Sequence, residues 1–515
     1  MYRNCHWDSV NKCIKLATWD ENGNRVRIDV PFKPYLYVDS PKGKYISIFE
    51  QKVDKREFNT PYDRSQFIKR YGSNRFYENF DVNQQFLLDC FWKNIADKDF
   101  AANPLRILML DIEVDPLPGG EFPDPKDSKA EINIITVYDS LDETYYIFSK
   151  NDYTGNNLIK NSKFLRCDNE KHLLERFLRF WSSKDYPDIV TGWNLNGFDM
   201  PYIAGRIAKQ LGDSAFYSLS PYGTIRIREN VLNKIMRPVD KYDIAGVSVL
   251  DFIDVYVKYK VEKQESYKLD FIGELELGYG KVDYEGMTIY EFMEKDWNRF
   301  VEYNVQDVAL LVDLEEKLRY FKILRGICNM ACANYEKGLN TVPITNGAVA
   351  VRARQRNRVL HTFIRDDVDK DLEKTGGYVS SNAGIHRDIV SVDATSLYPN
   401  QIITNNISPE TEIGICLFKQ ADTFYDLVDD HEVTLRLTNG LEKRLKKSDV
   451  LAAVKKNNLI ITSTGSIFSQ KKEGILPQFM REVFTDRDAA KKKMKQLKAE
   501  NVKLAKELKK LKAML

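Results

Sequence analysis

Hydrophobic and polar positions change rhythm several times along the chain. Over the first hundred residues KCIKLATWD, RVRIDVPF and YLYVDS predict short strands, and RSQFIKRYG and NQQFLLDCFWKNIA predict helical material. After ANPLR come three apolar strands, ILMLDIEV, INIITVYD and TYYIFS. A helix (HLLERFLRFW), a strand (DIVTGWN) and a second helix (PYIAGRIAKQLG) follow them. Three strands, then alternating helix and strand, predict an α/β domain with a mixed sheet. A long helix is expected around DWNRFVEYNVQDVALLVDLEEKL. Beyond it TGGYV marks a turn and IVSVDATSLYP a buried strand with a tight exit, and from 480 onward one helical pattern runs without Gly or Pro.

The 515 residues suffice for about three or four domains at roughly 150 residues each. With 43% hydrophobic positions the chain can bury several cores and is not a disordered one. The net charge of +2 hides an asymmetry: 10 Lys and 2 Glu give residues 491–515 a charge of +8, leaving −6 on the rest. No apolar run approaches the ~18 residues of a membrane span, and the polar start does not read as an export signal. Seven scattered cysteines suggest thiols in a reducing cytoplasm; Cys328 and Cys332, four apart, have no second pair nearby to complete a zinc site.

Candidate chemistry gathers on carboxylates. Asp111 and Glu113 end an apolar strand two apart, so the strand period puts both on one face of a sheet. NLNGFD ends in Asp199 at a strand-to-helix junction, where an N-cap role is the plain alternative. YNVQD sets Tyr303 and Asp307 one helical turn apart. Four carboxylates on one α/β domain can hold two divalent metals about 3.5–4 Å apart, and hard oxygen ligands suit Mg²⁺, with Mn²⁺ able to substitute. One metal would generate a hydroxide and the other would steady the leaving oxygen, with Tyr303 orienting the water. The ordered set DIE, N-x3-FD and Y-x3-D resembles the three motifs of DEDDy 3′→5′ exonucleases.

A second candidate site centres on SVDATSLYPN (391–400), with Asp393 before a Ser-Leu-Tyr-Pro turn. This resembles the first palm motif of family B DNA polymerases, with GGYV (376–379) upstream. The resemblance implies that Asp393 ligates both catalytic magnesium ions. It also implies that Ser396, Leu397 and Tyr398 cradle the incoming triphosphate and sugar. GILPQFMREVFTDRDAAKKKMK resembles the first fingers helix, whose Arg487 and Lys491, one turn apart, would face one phosphate chain. VSVLDFIDVYVKYK, SYKLDFIGELELGYGKVDYEG and TGWNLNGFDMPYI resemble the T-even-type phage branch of that family. Two expected motifs, K-x3-NSxYG in the fingers and DTD in the palm, do not occur in these residues; TDRD (485–488) and ADTF (421–424) lack the pattern. His386-Arg387-Asp388 resembles a kinase catalytic loop, but no DFG or Gly-rich loop accompanies it.

From 494 to 515 the residues Met494, Leu497, Asn501, Leu504, Leu508, Leu511 and Leu515 step by three and four, a coiled-coil seam with one polar position. A returning helix would cover it in a complete fingers domain. The pattern therefore suggests a natural or engineered split at the fingers tip, a homotypic zipper being the alternative.

The expected fold class is α/β multidomain. An N-terminal α+β domain (1–105) precedes a ribonuclease-H-like 3′→5′ exonuclease domain (106–319). A return to the N-terminal domain (320–364), a partial palm (365–470) and one fingers helix with its basic tail (471–515) follow. The resemblance implies the N-terminal part of a replicative DNA polymerase that acts on a DNA primer-template and dNTP, with two Mg²⁺ per active site. A second chain carrying the C-terminal polymerase half would complete synthesis. A sliding clamp and other replisome proteins are further expected partners, no membrane is expected, and the location would be the host cytoplasm. The rival readings are a stand-alone exonuclease and a non-catalytic nucleic-acid-binding subunit.

Overall fold

The computed structural model describes residues 1–72, 76–94, 102–117, 121–260, 262–281, 286–362, 381–394, 396–419 and 421–514, with side chains as far as 507. The GGYV segment and the 364/365 boundary lie outside the described residues. The chain forms two compact units. One comprises residues 1–35, 57–70 and 79–347, the other 36–56, 71–78 and 348–515.

The first unit is built on a six-stranded mixed sheet, in the order Ser162–Arg166, Thr144–Ser149, Ile132–Asp139, Ile107–Val114, Ile189–Thr191, Ser248–Val249. Ile107–Val114 runs antiparallel to Ile132–Asp139 and parallel to Ile189–Thr191, so the strand carrying Asp111 and Glu113 lies inside the sheet. Its alternation sorts the two faces. Leu108, Leu110 and Ile112 enter a core shared with the Glu170–Ser182 and Asp199–Leu211 helices. Met109 joins the opposite core, built largely on the Phe252–Tyr259, Leu269–Leu277 and Trp297–Leu318 helices. Asp111 and Glu113 share the Met109 face, beside the Trp297–Leu318 helix.

A three-stranded N-terminal sheet, Tyr2–Asp8, Cys13–Trp19 and Arg25–Pro31, belongs to the same unit. Buried ion pairs tie it to the large sheet. Arg3 and Arg25 reach Asp188 at 2.9 and 2.7 Å, and Asp188 also accepts the Arg106 backbone N–H at 2.8 Å. With every member paired, the desolvation of these charges is compensated.

Apart from the end residues Tyr35 and Glu57, a small sheet of Tyr45–Ile46, Lys52–Glu57, Tyr35–Asp39 and Phe76–Tyr77 belongs to the second unit. That unit also holds a five-stranded antiparallel sheet ordered Glu442–Lys446, Glu432–Leu437, Glu412–Leu417, Ser466–Ser469, Leu459–Ile461. The helix Leu397–Thr404 packs against the first part of the forty-residue helix Ile475–Met514.

The strand expected over IVSVD is not formed. Residues 381–394 are irregular and exposed, with Ile389, Val390 and Val392 at 70, 84 and 89% exposure. An apolar strand needs ladder partners for its backbone polar groups, and among the described residues none pairs with this one. Cys328 and Cys332 do not share a helix face either: the helix Tyr320–Met330 ends first, and Cys332 sits at φ 49°. All seven cysteines are free. No helix among the described residues is long and apolar enough to cross a membrane.

Candidate active site

Asp111, Glu113, Asp199, Tyr303 and Asp307 come together in the first unit. Asp111 and Glu113 arrive from the central strand, where period two places them side by side with partial access to solvent. The loop after Ile189–Thr191 delivers Asp199. Gly192 runs so close to that strand that a Cβ there would stand 2.7 Å from the Leu110 carbonyl oxygen, which no other residue could accept without movement. Asp199 is the first residue of its helix; Phe198 occupies the N-cap without a side-chain cap. The Asp199 carboxylate instead accepts the Ile112 backbone N–H at 3.2 Å, which seats it beside the Asp111 strand. The N-cap alternative is thereby set aside.

Tyr303 and Asp307 project from one stripe of the Trp297–Leu318 helix and are 7 and 2% exposed. Two residues that the sequence reading did not single out complete the cluster. Asn304, on the same stripe, donates from Nδ2 to Asp111 at 2.6 Å while accepting from Thr136 Oγ1 at 2.5 Å. Thr136 is the cross-strand partner of Asp111, so a neutral relay fixes one carboxylate oxygen. Lys281, in the segment after the Leu269–Leu277 helix, donates from Nζ to the Tyr303 hydroxyl at 3.0 Å and also to Asp307. Helical spacing was a signal for Asn304, which stands three residues before Asp307. Nothing periodic marks Lys281.

The electrostatics are those of an undercompensated anion cluster. Burial, then the Asp307 charge, pushes Asp111 up to about 7, with Lys281 and Asn304 opposing. Burial is also the first cause raising Glu113, Asp199 and Asp307, with Asp111 the next contributor for Glu113 and Asp199. Burial would lower the Lys281 ammonium, yet Asp307, Tyr303 and Asp111 together hold it well above its ordinary value. Burial likewise raises the Tyr303 hydroxyl, which stays a proton donor. Lys281 acts on Asp111, Glu113 and Asp307, and among the described residues the buried Asp307 Oδ1 has no hydrogen-bond partner.

That donor set fits divalent cations of the Mg²⁺ and Mn²⁺ type. All its ligands are hard oxygens, their charge exceeds the local compensation, and one buried oxygen lacks a partner among the described residues. The oxygens do not yet converge on one point: among the described residues no three His, Cys, Asp or Glu side chains are disposed to hold an ion. Asn304, Lys281 and the Ile112 N–H occupy several of them instead.

The residues of the other candidate site all lie in the second unit. Asp393 is in the exposed irregular stretch 381–394. Ser396, at φ 50°, is the N-cap residue of the helix Leu397–Thr404, so the expected turn leads straight into that helix. Leu397 and Tyr398 are 50 and 74% exposed. Arg487 on the long helix reaches the Ser396 hydroxyl at 3.4 Å, and Lys491, one turn on, is exposed. The structure therefore brings Ser396 and Arg487 together.

Comparison with protein families matches residues 64–272 to "DNA polymerase family B, exonuclease domain" and residues 346–512 to "DNA polymerase family B". Among curated proteins, the DNA-directed DNA polymerase of Escherichia phage RB69 is 28% identical over 498 residues, covering 91% of this chain and 51% of its own. That of Enterobacteria phage T4 is 26% identical over 515 residues, covering 94% of this chain and 53% of its own. The DNA polymerase delta catalytic subunit of Caenorhabditis elegans is 26% identical over 429 residues, covering 79% and 35%. The chain thus spans about half the length of the phage relatives it matches.

Proposed function

The chain belongs to DNA polymerase family B, and from that premise we propose that its first unit is a proofreading 3′→5′ exonuclease and its second unit contributes part of a polymerase active site. The observation that carries the exonuclease reading is the gathering of Asp111, Glu113, Asp199, Tyr303 and Asp307 in one coupled cluster, in which Asp307 Oδ1 has no partner among the described residues. The mixed sheet, with the acidic pair on an inner strand, supports a ribonuclease-H-like domain.

In this reading Asp111, Glu113, Asp199 and Asp307 hold two divalent cations. When bound, these supply activation of water and stabilisation of charge on the scissile phosphate. The chain's own residues set the stage. Asn304 and Thr136 keep the Asp111 carboxylate in one orientation. Tyr303, whose hydroxyl remains protonated, offers a hydrogen bond to the attacking water or the phosphate oxygens. Lys281 balances the cluster and places a positive charge beside the same hydroxyl. DNA is the substrate, entering by its 3′ end as a single strand.

For the second unit we propose that Asp393 binds the catalytic cations of nucleotide transfer, while Ser396, Leu397, Tyr398, Arg487 and Lys491 receive the dNTP. The pairing of Arg487 with Ser396 supports this grouping. Completion requires the second fingers motif and the palm DTD, from outside these 515 residues.

The test is degradation of a 3′-labelled single-stranded oligonucleotide in Mg²⁺. Asp111→Ala with Glu113→Ala should reduce the rate to background while the circular dichroism spectrum stays that of the parent. A double variant that degrades at the parental rate overturns the site.

A further inference from the structure

Asp251 touches none of the acidic cluster, yet it is 2% exposed and makes three hydrogen bonds to the backbone of two separate segments. Its Oδ1 accepts from Asn194 N at 3.1 Å and from Ile253 N at 3.0 Å, and its Oδ2 accepts from Asn196 N at 3.0 Å. The Ile253 bond caps the helix Phe252–Tyr259. The other two seize the loop that delivers Asp199.

That loop needs a clamp. Asn194 adopts φ 66°, a conformation that costs energy for a residue with a side chain. Phe198 and Gly197 both fold back onto the Asn194 carbonyl, and Met200 onto that of Leu195, so the position of Asn194 propagates to the first turn of the Asp199 helix. A serine or threonine would cap the helix equally well. Only a carboxylate, with two acceptor oxygens, can serve three N–H groups from two segments at once.

We propose that Asp251 is a positioning residue of the exonuclease site, holding the 194–198 loop so that the Asp199 carboxylate meets Asp111. The inference rests on the exonuclease reading above and adds a residue that acts through Asp199 without touching DNA.

Asp251→Ser separates the two duties, because serine keeps an oxygen for Ile253 N and loses the loop. In the full chain this variant should unfold near the parental temperature. Its kcat on a single-stranded oligonucleotide should fall at least tenfold, with KM for DNA within twofold of the parent. Asp251→Asn, which keeps one acceptor oxygen, should fall in between. Hydrogen exchange supplies a readout apart from activity: the amides of Asn194 and Asn196 should lose protection in Asp251→Ser while those of Leu110 and Ile112 keep theirs. A kcat within twofold of the parent, or unchanged protection at Asn194 and Asn196, overturns the inference. A parent chain that leaves the oligonucleotide intact overturns the exonuclease reading instead, and amide protection then decides the loop clamp by itself.

Discussion

Asp111 lies where folding penalises its charge, and the sign of that penalty is open to measurement. Its ordinary value of 3.8 rises to about 7 in the folded chain. Between those two values the folded state holds a proton that the unfolded state releases. The contribution of Asp111 to stability is therefore fully present below 3.8 and is lost as pH rises through 7, and Glu113, Asp199 and Asp307 shift the same way. We expect the thermal midpoint of metal-stripped protein to fall between pH 5 and pH 8, and millimolar Mg²⁺ or Mn²⁺ to raise it at pH 8 far more than at pH 5. Asp111→Ala with Glu113→Ala should flatten both responses in differential scanning fluorimetry. A pH 8 midpoint indifferent to the metal would mean that the cluster is not a cation site. Lys281 shows where residue-level reading of the sequence stops. Its role depends on a loop returning beside the Trp297–Leu318 helix, which no spacing rule encodes, whereas the motif acids lie at fixed positions on predictable elements. Lys281→Met strands Asp307 beside Asp111 and Glu113. Breaking a buried pair costs roughly 3–5 kcal/mol, but the Lys281 side chain is 30% exposed. A loss of about 2 kcal/mol in urea unfolding at pH 8, shrinking at pH 5, is the expected result.

Elements were legible where burial and period agree. ILMLDIEV, INIITVYD and TYYIFS are strands with the very limits read from the sequence, because neighbours on both sides complete their ladders. DIVTGWN shortens to Ile189–Thr191, since Gly192 begins the loop that carries Asp199. IVSVD is equally apolar, but in this chain it has no described ladder partner and no cover. An apolar pattern states what a segment would bury and leaves open whether its partner is present. The contrast predicts opposite mutational costs. Leu110→Ala, at a fully buried position of the inner strand, should cost roughly 2–5 kcal/mol. Val390→Thr with Val392→Thr should stay within about 0.5 kcal/mol of the parent in the same denaturation series. A large loss from the valine pair would show that the 389–393 stretch is packed in solution.

At the scale of the whole molecule the question is what completes the second unit. Its proposed nucleotide-binding side chains Leu397, Tyr398, Arg487 and Lys491 are exposed, and the phage relatives run to about twice the length of this chain. The long helix presents Met494, Leu497 and Leu504 at 47, 50 and 59% exposure, along the seam read from the heptad spacing. Burying one leucine fully is worth roughly 1.5–3 kcal/mol. A few such positions can therefore offset much of the cost of association, roughly 4–15 kcal/mol. We expect the 515 residues alone to fail in primer extension while degrading single-stranded DNA. Adding a polypeptide with the missing fingers, palm and thumb should restore synthesis, and Asp393→Ala should abolish it again without touching exonuclease activity. Leu497→Asp with Leu504→Asp should then separate the two polypeptides in sedimentation and remove synthesis, again sparing the exonuclease, because no seam residue belongs to the first unit. If the doubly substituted helix still sediments with its partner, the halves join elsewhere. The lysines flanking the seam would in that case serve DNA phosphates alone, a role that a steep salt dependence of primer-template binding would reveal.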